Sequence, residues 1–374
     1  MATATDRKSK VEGGATFTPA QRQSLRRRLL AWYARHARDL PWRRSRDPYR
    51  VWISEIMLQQ TQVATVCDYF ARFVREFPTV RALAAADETQ VLRAWEGLGY
   101  YRRARQLHAA AQQIVAEHGG RLPASAHDLE QLPGIGRYTA GAIASIAFDQ
   151  RAAILEANTI RMLSRLIGYR GDPRSTAGER VLWHVAESVL PQKYASQLNQ
   201  ALMELGSLVC TPSEPKCDQC PLSSLCAAYA TGQQHQIPRP KLPKTYTELR
   251  EAAVVVRRNG RILVRRCADG ERWAGLWDFP RFAIDAEGPL FANDEIVAKV
   301  QAQTGITCAP IGPIRTMRHG VTRYRITLDC YDARYISGRV RSTTSSLVRW
   351  LSVAELTALP LSTTGRKIAS LVSK

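Results

Sequence analysis

A chain of 374 residues with 45% hydrophobic content can hold two or three domains, each with its own core, and no apolar run approaches the ~20 residues of a membrane span. Fifty-three Lys and Arg against 33 Asp and Glu give a net charge of +20 and a pI near 10.0, a field that attracts polyanions and nucleic acid above all. Residues 1–16 carry no hydrophobic signal core, so the expected location is cytoplasmic and nucleoid-associated, with no membrane partner.

Residues 1–17 are small, polar and charged and are predicted to form a disordered tail. Thr18-Pro19-Ala20-Gln21 is a capping box with proline at the first helical position, and Leu25, Leu29, Leu30 and Tyr33 follow on one helix face. The same period recurs at Leu107, Ala111, Ile114 and Val115, so residues 18–230 are predicted to be all-α. Within the run Pro48–Gln62, Glu55 stands among Ile53, Ile56 and Met57. If that carboxyl is buried, desolvation raises its pKa and suits it to general acid work; the alternative is an exposed helical Glu. Leu132–Ala142 reads as a tight turn on Gly134 and Gly136 followed by a small-residue helix, whose first amides can face a phosphate; an ordinary helix corner is the alternative. Glu156 follows the apolar run Ala153–Leu155. Two carboxylates, one protonated and one ionised, can cleave a glycosidic bond.

Cys210, Cys217, Cys220 and Cys226 fall within 17 residues, among Pro212, Pro215 and Pro221, so the segment reads as a loop shaped by metal ligation. An iron-sulfur cluster fits this spacing best. Zinc usually takes two short paired spacings, and only Cys217 and Cys220 form such a pair; disulfides would need an oxidising compartment. Cys67, Cys267, Cys308 and Cys330 are scattered in apolar contexts and read as buried small hydrophobes.

Residues 231–247 hold three prolines and several basic residues, as a semi-rigid linker does. Beyond it the hydrophobic period becomes two. Val254–Arg258, Asn259-Gly260 and Arg261–Val264 make a hairpin, and Tyr324, Ile326, Leu328 and Cys330 alternate as an inward face with Arg323, Arg325, Thr327 and Asp329 as an outward one. Ser352–Glu355 is a further capping box, so residues 248–374 are predicted to be α+β.

Four motifs in order, SEIMLQQTQV (54–63), WEGLGYY (95–101), LPGIGRYTAGAI (132–143) and MELGSLVC (203–210) before the cysteine loop, resemble the adenine DNA glycosylases of the MutY type, which belong to the helix-hairpin-helix, iron-sulfur glycosylases. The resemblance implies a 4Fe-4S cluster on Cys210, Cys217, Cys220 and Cys226, and a monomeric protein whose substrate is adenine opposite 8-oxoguanine or guanine in duplex DNA. It makes Glu55 the acid that protonates adenine, and Gln60, in the same helix, a residue inserted into the base stack. Leu98 and Tyr100 resemble a wedge beside the lesion. Asn158 and Glu204 match further active-site positions, and Trp42 with Arg43 match a segment lining the adenine pocket.

Tyr138 stands where the related endonuclease III group carries a lysine, and a phenol cannot form the Schiff base that cuts a strand, so base removal without efficient strand cleavage is expected. The family has Asp-Gly-Asn where this chain has Glu156-Ala157-Asn158, which moves the carboxylate about one methylene outward; a shift of ~1 Å can cost ~100-fold in rate. The C-terminal segment Trp273–Pro280 resembles the Nudix-like domain with which the family reads 8-oxoguanine, its reading loop aligning with Val321-Thr322-Arg323. The stretch Ala298–Gly305 has no acid where Nudix hydrolases bind magnesium, so nucleotide hydrolysis is not expected. Two alternatives remain: an endonuclease III-like oxidised-pyrimidine glycosylase with lyase activity, and a non-catalytic lesion-binding protein.

Overall fold

The computed structural model describes residues 17–240, 245–285, 289–342 and 347–372, so most of the expected tail and part of the expected linker lie outside the described residues. Phe17, the last residue of that tail, is buried in the helical core. The chain divides into two compact units. One runs to Ala84 and resumes from Ala109 to Leu242; the other joins Ala85–His108 to the residues from Pro243 onward. Residues 85–108, which the periodicity assigns to the helical domain, thus group with the C-terminal residues. Among the described residues no helix is long and apolar enough to cross a membrane.

The helices run α1 (Pro19–His36), α2 (Pro48–Leu58), α3 (Val63–Glu76), α4 (Val80–Ala85), α5 (Glu88–Ala94), α6 (Arg102–His118), α7 (Ala126–Glu130), α8 (Arg137–Phe148), α9 (Ala157–Ile167), α10 (Thr176–Val189), α11 (Ala195–Leu208) and α12 (Ala227–Ala230). The Thr18 box caps α1 as its sequence requires, Thr18 and Gln21 exchanging side-chain and backbone hydrogen bonds. Helix α2 starts at Pro48 with the Asp47 carboxylate on the Tyr49 amide, and its residues Val51–Met57 are all buried, as suits a helix enclosed by others. It packs on α8, which packs in turn on α11. One core cluster draws Leu25 and Leu29 of α1 together with Leu163, Leu166, Leu182, Leu198 and Leu202. The cysteine loop contains two single-turn 3-10 helices, Cys217–Gln219 and Ser223–Leu225.

The second unit is built on a seven-stranded sheet in the order β3-β2-β1-β6-β5, with β4 on β1 and β7 on β2: β1 (Thr247–Arg258), β2 (Arg261–Arg266), β3 (Trp277–Asp278), β4 (Arg281–Ala283), β5 (Ile306–Val321), β6 (Tyr324–Gly338) and β7 (Val348–Leu351). Strands β1 and β6 are parallel and the other pairs antiparallel. Asn259 and Gly260 both take positive φ, 48° and 72°, the twist that lets a two-residue turn join β1 to β2. Both faces are covered: Ala252, Val254 and Val256 pack with α13 (Pro289–Thr304), while Ala253 and Val255 pack with α14 (Val353–Ala358) and α15 (Thr363–Val372).

The expected outward face of β6 needs one correction. Ile326, Leu328 and Cys330 are buried as expected, but Asp329 is only 7% exposed and accepts hydrogen bonds from Arg250 Nε (3.1 Å) and Thr316 Oγ1 (2.6 Å). A strand between β1 and β5 has neighbours on both sides, so a carboxylate at its centre is enclosed and paired. Cys267, Cys308 and Cys330 are buried as expected, whereas Cys67 is only half-buried.

Candidate active site

A cavity of about 680 Å³ opens in the helical unit, and Glu55, Tyr138, Glu156, Asn158, Trp42, Arg43, Gln60 and Glu204 all line it. Glu55, on the buried helix α2, is 4% exposed and accepts a 2.5 Å hydrogen bond from Tyr138 Oη. Burial raises its pKa from 4.5 to about 7, the Tyr138 hydrogen bond opposing the rise and the Glu156 charge adding to it. Glu55 is therefore a carboxylic acid poised to release a proton near neutrality. Tyr138, in the first turn of α8, is pushed well above its ordinary pKa by burial and by the two carboxylates, and remains a neutral phenol.

Glu156 is the N-cap of α9. Its carboxylate folds back on the helix start and accepts from the Asn158 amide (2.8 Å), the Thr159 amide (2.9 Å) and Asn158 Nδ2 (3.2 Å). Burial raises its pKa, while those donors and the Arg161 charge pull it down. Three donors at a helix N-terminus against one phenol make Glu156 the better anion of the pair. Arg161, one turn along α9, donates to Asn158 Oδ1 (2.9 Å), the Gly206 carbonyl (2.6 Å) and the Cys210 carbonyl (2.7 Å). A Cβ on Gly206 would stand 2.7 Å from Asn158 Cβ, so glycine there lets α11 approach α9 closely enough to seat Asn158.

An ion cluster also lines the cavity. Glu204 on α11 accepts from Arg38 Nε (2.8 Å) and Nη2 (2.9 Å) and from Arg43 Nη2 (2.8 Å). Burial pushes its pKa up, but the hydrogen bonds from the two guanidiniums win and hold it at about 2. Trp42 is buried edge-on against Phe70. Arg38, Arg161 and Gly206 escaped the sequence reading, because a lone arginine in a basic chain and a glycine in a helix carry no pattern that marks them.

Gln60 is not in the helix of Glu55. That helix ends at Leu58, and Gln60 follows in a left-handed conformation (φ 57°) with its side chain exposed. Gly134 turns the chain at φ 76° and Gly136 is the N-cap of α8, whose start carries no side-chain cap hydrogen bond. In the second unit, Leu98 is 6% exposed and Tyr100 49%, so Tyr100 alone of that pair presents its ring. Thr322 and Arg323 form the exposed tip between β5 and β6, Thr322 at φ 53°, an uncommon conformation for a β-branched residue.

Cys210, Cys217, Cys220 and Cys226 are unpaired and half-buried, and burial together with the neighbouring thiols raises the pKa of Cys217, Cys220 and Cys226. Burial is the larger cause and carries Cys220 to about 12, so thiolates here need a cation beside them. Arg165 Nη1 lies 3.3 Å from Cys210 Sγ. Among the described residues no three side chains converge as ligands of a single ion.

Residues 53–188 match the HhH-GPD superfamily of base excision DNA repair proteins, and residues 252–371 match the NUDIX domain. The adenine DNA glycosylase of Rattus norvegicus is 34% identical over 399 residues, spanning 92% of this chain and 77% of the relative; that of Homo sapiens is 33% identical over 405 residues, spanning 93% and 74%. The chain belongs to the adenine DNA glycosylase family. A family member from Buchnera aphidicola subsp. Schizaphis graminum is 38% identical over 255 residues, 68% of this chain and 74% of its own. Among solved structures, a thermostable thymine-DNA glycosylase superposes with a TM-score of 0.52 at 30% identity, over 56% of this chain and 97% of its own. An endonuclease III in a non-covalent DNA complex gives 0.50 at 21% identity over 59% and 100%, and shares the helical fold. Glycosylase family and fold thus stand beside a cavity that holds one carboxyl with its pKa raised to about 7 and a second held by the donors at the start of α9.

Proposed function

We propose that this adenine DNA glycosylase hydrolyses the N-glycosidic bond of adenine opposite 8-oxoguanine or guanine in duplex DNA and leaves the strand intact. The observation that carries the reading is the buried Glu55 carboxyl, near pKa 7 and bonded to Tyr138, in a cavity that also holds Glu156. Glu55 donates its proton to a ring nitrogen of the extruded adenine, which makes the base a neutral leaving group. Glu156, held by the start of α9, faces the oxocarbenium-like sugar, and water completes the abasic product. The Glu204–Arg38–Arg43 cluster supplies fixed donors and an acceptor toward the base edge. Tyr138 has no amine for a Schiff base. Opposite-strand reading falls to the Thr322-Arg323 tip, whose hydroxyl and guanidinium can hydrogen-bond a purine.

Cys210, Cys217, Cys220 and Cys226 would hold a 4Fe-4S cluster. The donor set fits: four free thiols in mutual electrostatic reach, in a site that needs positive charge. Such a cluster would anchor the loop against the helical core, which Cys210, Cys220 and Cys226 already touch.

A single-turnover assay on a duplex with adenine opposite 8-oxoguanine tests the reading. The expected products are free adenine and an alkali-labile abasic site, with no borohydride-trapped complex. Efficient trapping would favour the endonuclease III-like alternative, and tight binding without excision the non-catalytic one.

A further inference from the structure

In the second unit the loop that presents Tyr100 is gripped by the last helix of the chain. Gly97, Gly99 and Tyr100 all take positive φ, so the loop Trp95–Tyr101 is a tight coil with little regular structure to hold it. Its anchor is Glu96. Arg366 of α15 donates to both carboxylate oxygens, Nε to Oε1 at 2.6 Å and Nη2 to Oε2 at 2.9 Å, and Oε2 also accepts from Arg93 Nη1 (2.7 Å) and the Leu361 amide (3.3 Å). Arg366 also donates through Nη1 to the Thr357 carbonyl and through Nη2 to the Leu359 carbonyl, so it is tied at both ends. The next aromatic, Tyr101, accepts from the Gly97 amide and donates to the Leu361 carbonyl at 3.4 Å. The Glu96 side chain is 11% exposed and that of Arg366 25%, so this two-toothed pair is partly desolvated and geometrically restrictive.

We propose that Glu96 and Arg366 are positioning residues that set the Tyr100 loop for insertion into DNA, so that the C-terminal, lesion-reading part of the chain governs how the base stack is opened. The pair acts through Tyr100 and touches neither base nor sugar. Its contacts run from the carboxylate beside Gly97 to the helix that closes the Nudix-like fold, and each fixes the height or the tilt of a loop whose own backbone is strained. The proposal rests on the reading of Tyr100 as a residue that enters the duplex.

The test is a double-mutant cycle in the full-length protein. Single-turnover excision is measured together with the fluorescence of a 2-aminopurine placed beside adenine opposite 8-oxoguanine, which brightens when the stack opens. Glu96→Gln and Arg366→Ala should each lower excision about tenfold, the scale of coupling within one network, and lose most of the fluorescence rise. In a Tyr100→Ala background neither should add further loss. The exchange Glu96→Arg with Arg366→Glu should recover part of both signals, and the melting temperature of Glu96→Gln, which keeps the volume, serves to separate unfolding from misplacement. If Tyr100→Ala is damaging and Arg366→Ala adds its full effect on top, the inference is overturned and the insertion reading survives. If Tyr100→Ala matches the parent in both readouts, the insertion reading falls and the inference with it.

Discussion

Tyr138 Oη donates to Glu55 Oε2 at 2.5 Å, so the phenol that lines the cavity is also the hydrogen-bond partner of the buried carboxyl. The bond favours the ionised carboxyl, against a burial cost that carries Glu55 up to about 7. Excision should accordingly be fastest with Glu55 protonated and decline as pH rises through about 7. Tyr138→Phe removes the influence that lowers the pKa, so the alkaline limb of a single-turnover pH profile should move to higher pH. A limb that moves lower would contradict this electrostatic account.

The same shift predicts a stability effect. A carboxyl whose folded pKa lies above its unfolded value of 4.5 contributes stability that is full below the unfolded value and is lost as pH rises through about 7. Glu55→Gln has no charge to bury, so its melting temperature relative to the parent should climb as pH passes through that range. Parallel melting curves at all pH values would remove Glu55 from the buried-acid role.

Glu156→Gln keeps an oxygen that can cap α9 but loses the anion. Melting should change little, and excision should fall on the order of 100-fold or more. Glu156→Asp, which restores the family residue, should retain or raise the rate. Full activity in Glu156→Gln would leave the sugar-facing role to Tyr138 and Asn158.

Glu204→Ala leaves the Arg38 and Arg43 guanidiniums facing each other without their shared carboxylate. Breaking a buried pair costs ~3–5 kcal/mol, and the partial exposure of Arg38 brings the expected loss to about 2–3 kcal/mol in a denaturant titration. A loss below about 1 kcal/mol would class the cluster with surface pairs.

The cysteine loop predicts brown protein with a broad band near ~400 nm and about four irons. Cys217→Ser should lose the iron, and with it DNA affinity more than helical content. Colourless, zinc-loaded protein would sink the cluster reading. Affinity for undamaged duplex should also fall steeply with salt, as the charge of +20 requires.

Local rules make several features legible in the sequence itself. The Thr18 and Ser352 capping boxes and the Asn259-Gly260 turn involve residues at most three apart, and each formed as its chemistry dictates. The two carboxylates are legible only as candidates, because an acid beside an apolar run can equally be an exposed Glu. Distant relationships are not legible. Glu96 and Arg366 lie 270 residues apart, and nothing near either one names its partner. Gln60 is expected in the helix of Glu55, yet that helix ends at Leu58 and the backbone turns left-handed at Gln60. Asp329 looked exposed because alternation reports which face a side chain takes and says nothing of what flanks the strand.

The most direct test of the central claim is Glu55→Gln under single-turnover conditions on adenine opposite 8-oxoguanine, with binding measured on the same duplex. An amide keeps the shape of the acid and loses its transferable proton. Excision should be lost and mispair affinity nearly unchanged; excision by Glu55→Gln at the parent rate would show that Glu55 is not the proton donor.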